Sequence, residues 1–372
     1  MGTEAPTRTV GPPSGAPATF PTIDALRMVD EANGWAADLN GKLYRTLDGG
    51  RNWYLLTTPA NVEFNAYASA FLSAAEAWLS FYDANGAPAL LRTSDGGATW
   101  TRLTEIGLAT AGGPASFEFS TPLDGLARVE GLGAGNLYIQ IFETHDGGAS
   151  FSVLPLVGPT DEQGLPEGTL HLCSLCLDAF HYAPARAIIL RGDMGSMQPR
   201  GGVLVQTSTD LGQHWSEMTL PLPPGYEDAL VGGLPLSFPG RQHGFLPVQL
   251  IKYNPDGTLA YDAIALYATP DGGATWSLTP TVLSGVDPAA LELVDDFDLV
   301  ALCGSDICVT HDEAHTWQAL TPNVDLSSTD TRYVLEMTFV TPSTGWIILT
   351  EAGTRQLYRT SDGGATWSLL NP

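Results

Sequence analysis

Short apolar runs alternate along this chain with clusters of turn-forming residues. IDALRMV, starting at Ile23, is followed by GWAAD, KLYRT and WYLL; near the other end YVLEMTFV, GWIIL, QLYRT and WSLL repeat the order. Each run has strand length and is bounded by Gly, Pro, Asn or Asp, which predicts an all-β chain of four-stranded units. No run approaches the ~18 apolar residues of a membrane-spanning helix, so direct membrane insertion is not expected.

One turn motif punctuates the pattern seven times: TLDGGRNW from Thr46, TSDGGATW from Thr93, THDGGASF from Thr144, STDLGQHW from Ser208, TPDGGATW from Thr269, THDEAHTW from Thr310 and TSDGGATW from Thr360. The starts lie 47, 51, 64, 61, 41 and 50 residues apart, near the period of β-propeller blades. Chemically the motif suits a tight hairpin turn: Asp accepts hydrogen bonds from turn amides, and Gly takes backbone angles that other residues resist. Asp48, Asp95, Asp146, Asp210, Asp271, Asp312 and Asp362 are therefore expected to be structural, and the closing aromatic to pin the turn to its own blade.

A second register lies upstream. Met28 stands six residues before Gly34 and Trp35, Phe71 before Ala77 and Trp78, Phe119 before Gly125, Phe238 before Gly244, and Phe339 before Gly345 and Trp346; Phe180 fits the same frame. This spacing predicts the turn from first to second strand, with the aromatic directed between neighbouring sheets. The two registers account for all nine tryptophans, leaving none for a ligand platform. The expected fold is one seven-bladed β-propeller over residues 21–372, with four-stranded antiparallel blades and the motif between strands 3 and 4. Residues 1–20, rich in Pro and Thr, read as a flexible linker.

Charge narrows the partners. With 41 acidic against 16 basic residues, and lysine only at Lys42 and Lys252, the net charge is −25. Nucleic acids and anionic membranes are bound by Lys and Arg, so neither is expected. The acidity is either a solubility device or an attraction for cations and basic partners. The N-terminus lacks the apolar core of a signal peptide; an extracellular or cell-surface bacterial protein, its export signal outside this sequence, is expected. Of four cysteines, Cys303 and Cys308 flank a hairpin loop within bridging reach, whereas Cys173 and Cys176 along a strand would stand about 10 Å apart unless a local turn intervenes. No metal or other cofactor is expected.

The S/T-x-D-x-G-x-T-W motifs preceded by Gly-Trp strands resemble the Asp-box (BNR) superfamily, across roughly residues 21–370. That superfamily includes sialidases, xyloglucanase-type hydrolases and photosystem II assembly-factor-like propellers. The last is the nearest in length, blade number and Gly-Trp spacing, but departs in charge, since it is described by a basic patch. A sialidase would imply an arginine triad and a Phe-Arg-Ile-Pro motif; Arg27 is the nearest candidate and no Ile-Pro follows it.

Binding on such a scaffold is expected on the face opposite the repeated turns, where loops are longest. RGDMGSMQPRGG from Arg191, KYNPDGTLAYD from Lys252 and the connections GPTDEQGLPEGT and LPPGYED crowd one sector, at blades 4 and 5. Within it, Asp193, Arg200, Tyr226, Glu227, Asp228, Tyr253, Asp256 and Tyr261 are the candidate binding residues; Asn254 to Gly257 reads as a hairpin turn. Catalysis would need two facing carboxylates, and the candidates on inner strands are Glu118, Asp178, Glu292, Asp295 and Glu336. The expected function is non-catalytic binding of a protein or glycan by a monomer; the alternative is a glycoside hydrolase acting at the central channel.

Overall fold

The computed structural model describes residues 17–59, 64–82, 88–103, 115–133, 136–155, 169–172, 181–182, 188–192, 202–210, 213–234 and 243–370. Among these, every regular element is a strand, and the strands form seven antiparallel sheets, each built on four strands that follow one another in sequence and in space. In the first sheet the order is Ile23–Met28, Gly34–Asp38, Leu43–Thr46, Tyr54–Leu55; in the seventh it is Arg332–Phe339, Gly345–Glu351, Thr354–Thr360, Ser368–Leu369. Both end sheets are thus complete without a borrowed strand. The chain divides into two compact units, one holding the first three sheets and the other the last four.

The upstream register has a direct steric cause. Met28 pairs across the first hairpin with Gly34, Phe71 with Ala77, Phe119 with Gly125 and Phe339 with Gly345. A Cβ added at Gly34 would lie 2.2 Å from the Met28 sulfur, and at Gly125 and Gly345 it would lie 2.5 and 2.6 Å from the Phe119 and Phe339 rings. Each large side chain therefore folds over its cross-strand partner, and the partner must be small.

The Trp that follows organises packing between sheets. Trp35, Trp78 and Trp346 pair on the third strand with Arg45, Arg92 and Arg359, whose guanidinium carbons lie 5.8, 5.2 and 5.4 Å from the indole centroids. Within the first unit these couples reach the next sheet. Trp35 Nε1 donates to the Ser73 carbonyl at 3.1 Å, Arg45 Nη1 to Gly96 at 3.2 Å, Trp78 Nε1 to Gly147 at 2.9 Å and Arg92 Nη2 to Pro122 at 2.8 Å. Within each unit the core lies between the faces of successive sheets. Trp35, Leu43, Leu79 and Leu91 fill the first such layer, and Val205, Leu220, Val248 and Leu250 the one between the fourth and fifth sheets.

The sixth sheet carries the disulfide Cys303–Cys308, across residues whose Cα atoms are 6.0 Å apart. Cys173 and Cys176 lie outside the described residues. The sixth turn is also irregular, with Glu313 and Ala314 standing where five other copies have Gly-Gly and adopting φ of 59° and 62°. Left-handed backbone costs a residue with a Cβ about 1 kcal/mol. Ala314 is fully buried, which offsets that cost at its position, whereas Glu313 is only half-buried. Glu313→Gly should therefore raise stability, by at most about 1 kcal/mol, as read by urea denaturation.

Candidate functional site

All seven repeated turns share one hydrogen-bond scheme. The leading Thr or Ser hydroxyl donates to the Asp Oδ1 at 2.8–3.1 Å. That oxygen also accepts the backbone N–H four residues on, at 2.8–2.9 Å. Oδ2 accepts from the side chain of the same residue at 2.6–2.7 Å, whether Asn52, Thr99, Ser150, His214, Thr275, Thr316 or Thr366. The residue after Asp clips the turn to the first hairpin of its own sheet, as in Gly49 N–H to Ala32, Gly96 to Ala75, Gly147 to Leu123 and Gly363 to Ser343, at 2.8–2.9 Å. Both carboxylate oxygens of every turn Asp are thus engaged.

These bonds stabilise the ionised form. Hydrogen bonds from the Ser150, His214 and Thr316 side chains pull Asp146, Asp210 and Asp312 down to about 2. A depressed folded-state pKa contributes stability that is present above the unfolded value near 3.9 and lost as pH falls towards 2. The melting temperature should accordingly hold from pH 7 to about 4 and then fall steeply. An Asp146→Asn/Asp210→Asn/Asp312→Asn protein should start lower and show a shallower acid limb.

At the other end of the fifth sheet the geometry is different. Its two central strands, Gly244–Tyr253 and Leu259–Thr269, are the longest described and are joined by a turn in which Asp256 accepts both the N–H and the hydroxyl of Thr258. Beside them the segment Pro223–Ala229 folds into two turns, with Tyr226 N–H bonded to Pro223 and Ala229 N–H to Tyr226. That places the Tyr226 ring edge-on to Tyr261, with centroids 5.0 Å apart. Lys252 Nζ donates to Asp228 Oδ2 at 2.5 Å and stands 6.0 Å from the Tyr261 centroid, and Tyr261 Oη donates to Asp228 Oδ1 at 3.3 Å. The ammonium lowers the Asp228 carboxyl; burial, then Asp228, raises the Tyr261 phenol. Gly225 N–H bonds Glu227 and lowers its carboxyl.

Of the sequence candidates, Tyr226, Asp228 and Tyr261 meet directly and Glu227 adjoins them. Tyr253 and Asp256 lie further out on the hairpin, Tyr253 with 54% of its surface exposed. Asp193 and Arg200 fall outside the described residues. Lys252 joins the cluster although the sequence marked it only by its rarity and as the start of a long loop. Its role depends on the pairing Lys252↔Tyr261, which spacing does not reveal.

The carboxylates proposed for inner strands divide. Glu118, Glu292 and Glu336 lie on the first strands of the third, sixth and seventh sheets. Glu118 is open to solvent, yet desolvation by the surrounding protein pushes its carboxyl above the ordinary range. Asp295 is not on a strand; it closes the first hairpin of the sixth sheet by accepting the Phe297 and Asp298 N–H groups at 2.8 and 2.9 Å. Turn geometry claims it, as an Asp two residues before the donating amide favours an Asx turn. Asp178 lies outside the described residues. Among the described residues, no group of three or more His, Cys, Asp or Glu could hold a metal ion.

Four-stranded antiparallel sheets repeated in series through an all-β chain are the blade architecture of β-propellers, and that is the class of protein the fold defines. Neither a protein-family model nor the sequence of a curated protein matches the chain. Among solved structures, a puromycin-hydrolyzing peptidase of Mycobacterium tuberculosis is 14% identical with a TM-score of 0.54, over 95% of this chain and 54% of that one. That likeness is one of fold alone. YCF48 bound to D1 peptide aligns over 95% of this chain and 99% of its own at 18% identity and TM-score 0.49. An ulvan lyase bound to a GlcA–Rha3S oligosaccharide aligns over 95% and 94% at 10% identity and TM-score 0.46.

Proposed function

We propose that the chain is an extracellular, non-catalytic binding protein of the Asp-box type, its seven blades closed into one propeller, that engages a protein or glycan partner at the loop-rich end of blades 4 and 5. The observation that carries the proposal is the convergence of Tyr226, Asp228, Lys252 and Tyr261 on one spot at the end of the fifth sheet away from the repeated turns. Aromatic surface beside oriented charges, on a rigid sheet, is the composition of binding hot spots. The aspartates of the motif, by contrast, have both oxygens committed to the turns and offer no free acid or base.

The test is a panel of immobilised glycans and peptides probed with the wild type and with Tyr226→Ala/Tyr261→Ala. Binding that weakens about tenfold or more in the variant, with melting unchanged by more than a few degrees, is the expected result. Binding indifferent to the double substitution would remove the site from the function.

A glycoside hydrolase is the second reading: Glu118 lies on the first strand of the third sheet and desolvation raises its carboxyl, the direction a general acid needs. It requires hydrolysis of a sialoside or β-glucan that Glu118→Gln abolishes.

A further inference from the structure

We infer that the hairpin arm of residues 252–261 is the docking element for an extended, Lys- or Arg-bearing segment of a protein partner. This rests on the binding role proposed above and names the partner's chemistry.

The arm is the part of the fifth sheet that outruns its neighbours. On one side Leu230–Gly233 pairs no further along than Ile251, and on the other Leu283–Ser284 stops at Ala263. From Lys252 to Tyr261 the two strands continue with no flanking strand among the described residues, the last outside contact being Gly285 N–H on the Asp262 carbonyl. Among the described residues both edges of the arm therefore offer unpaired backbone groups, the template on which a third strand can be added.

A bulge separates the arm's two sides. Lys252 pairs with Tyr261 but Tyr253 pairs with Leu259, so Ala260 is the additional residue. The Lys252 and Tyr261 side leans on Pro223–Ala229 through the Tyr226 ring and the Asp228 carboxylate. Tyr253 and Leu259, cross-strand partners, remain 54% and 55% exposed. A free two-stranded hairpin is marginal in water. This one is buttressed from behind, and the buttress presents an apolar pair and two open edges to solvent at no further ordering cost.

Charge selects the occupant. Glu227, Asp228, Asp256 and Asp262 surround the arm, and Lys252, the one lysine there, is already paired with Asp228. The local field is negative within a chain of net charge −25, so a cationic segment is attracted and an acidic one repelled. A sugar is less well served, since the polar groups of the tip, Asn254 and Asp256, are turned inward onto Thr258.

The experiment selects a displayed random-peptide library against the full chain and titrates synthetic copies of the enriched peptides. Enriched sequences should alternate Lys or Arg with apolar residues and bind more weakly as salt rises. They should lose about tenfold or more in affinity to Tyr253→Ser/Leu259→Ser and, independently, to Glu227→Lys, with melting of both variants unchanged. Failure to enrich any peptide, enrichment of acidic or uncharged ones, or affinity indifferent to the arm substitutions would overturn the inference. So would self-association in sedimentation that the arm substitutions abolish, because the occupant would then be a second copy. Glycan-panel binding lost on Tyr253→Ser/Leu259→Ser would overturn the peptide inference yet keep the binding role; if neither peptides nor glycans respond to any substitution at this end, both fall.

Discussion

Trp78→Ala is expected to lower stability by about 3 to 5 kcal/mol, the range for emptying a fully buried aromatic site. Trp78 has no exposed surface. It stacks on Phe119 at a centroid distance of 3.6 Å with planes 3° apart, and its Nε1 donates to the Gly147 carbonyl of the third turn. Arg92, 5.2 Å over the same ring, would lose the surface that holds its guanidinium towards Pro122. One substitution thus removes packing between the second and third sheets, a hydrogen bond and the support of a half-buried cation. Trp78→Phe keeps most of the apolar surface and loses the N–H, and should cost about 1 to 2 kcal/mol. Urea denaturation of the three proteins reads the difference, and equal midpoints for wild type and Trp78→Ala would show that the layer is not held by this ring.

Asp362→Ala should cost about 2 kcal/mol. Its carboxylate accepts from the Thr360 hydroxyl at 2.8 Å, the Thr366 N–H at 2.8 Å and the Thr366 hydroxyl at 2.6 Å, and its removal leaves these donors without the acceptor that shapes the turn. The turn also carries Gly364, at φ 101°, where an added Cβ would come within 2.9 Å of Ile307 in the sixth sheet. Loosening the turn therefore loosens the seam between two sheets. Asp362→Asn retains one oxygen for the Thr366 N–H and should cost about half as much. Differential scanning calorimetry distinguishes the two, and an Asp362→Ala protein melting with the wild type would mean that the backbone alone specifies the turn.

The turns and their aspartates were legible because their chemistry is local. The bonds that Thr, Asp and the residue four beyond it exchange lie within a span of seven residues, so spacing alone reveals them. The register of Met28 with Gly34 and of Phe339 with Gly345 was legible for the same reason, since hairpin partners six apart in sequence are direct neighbours in space. The binding cluster was half legible. Loop length drew notice to Tyr226, Asp228 and Tyr261, but Lys252 enters through a cross-strand pairing whose register a bulge shifts by one residue. Asp295 was misplaced because an Asp in an apolar-polar stretch looks alike on a strand and in an Asx turn. Likewise, the fourth strand of the fifth sheet breaks into Ser277–Leu278 with Leu283–Ser284 beside it, an interruption that two-residue strands leave too little pattern to foretell.

The repeated turns, with every Asp oxygen engaged, should be rigid, and the hairpin arm proposed as the docking element should be open. Hydrogen-exchange mass spectrometry on the free protein tests this most directly. The N–H groups of Gly50, Gly97, Gly148, Gly273 and Gly364, each buried and bonded to its leading Thr hydroxyl at 2.8–3.0 Å, should be strongly protected. Residues 252–261, open at both edges, should exchange orders of magnitude faster. Turn amides exchanging as quickly as the arm would show that the repeated turns are not the rigid scaffold.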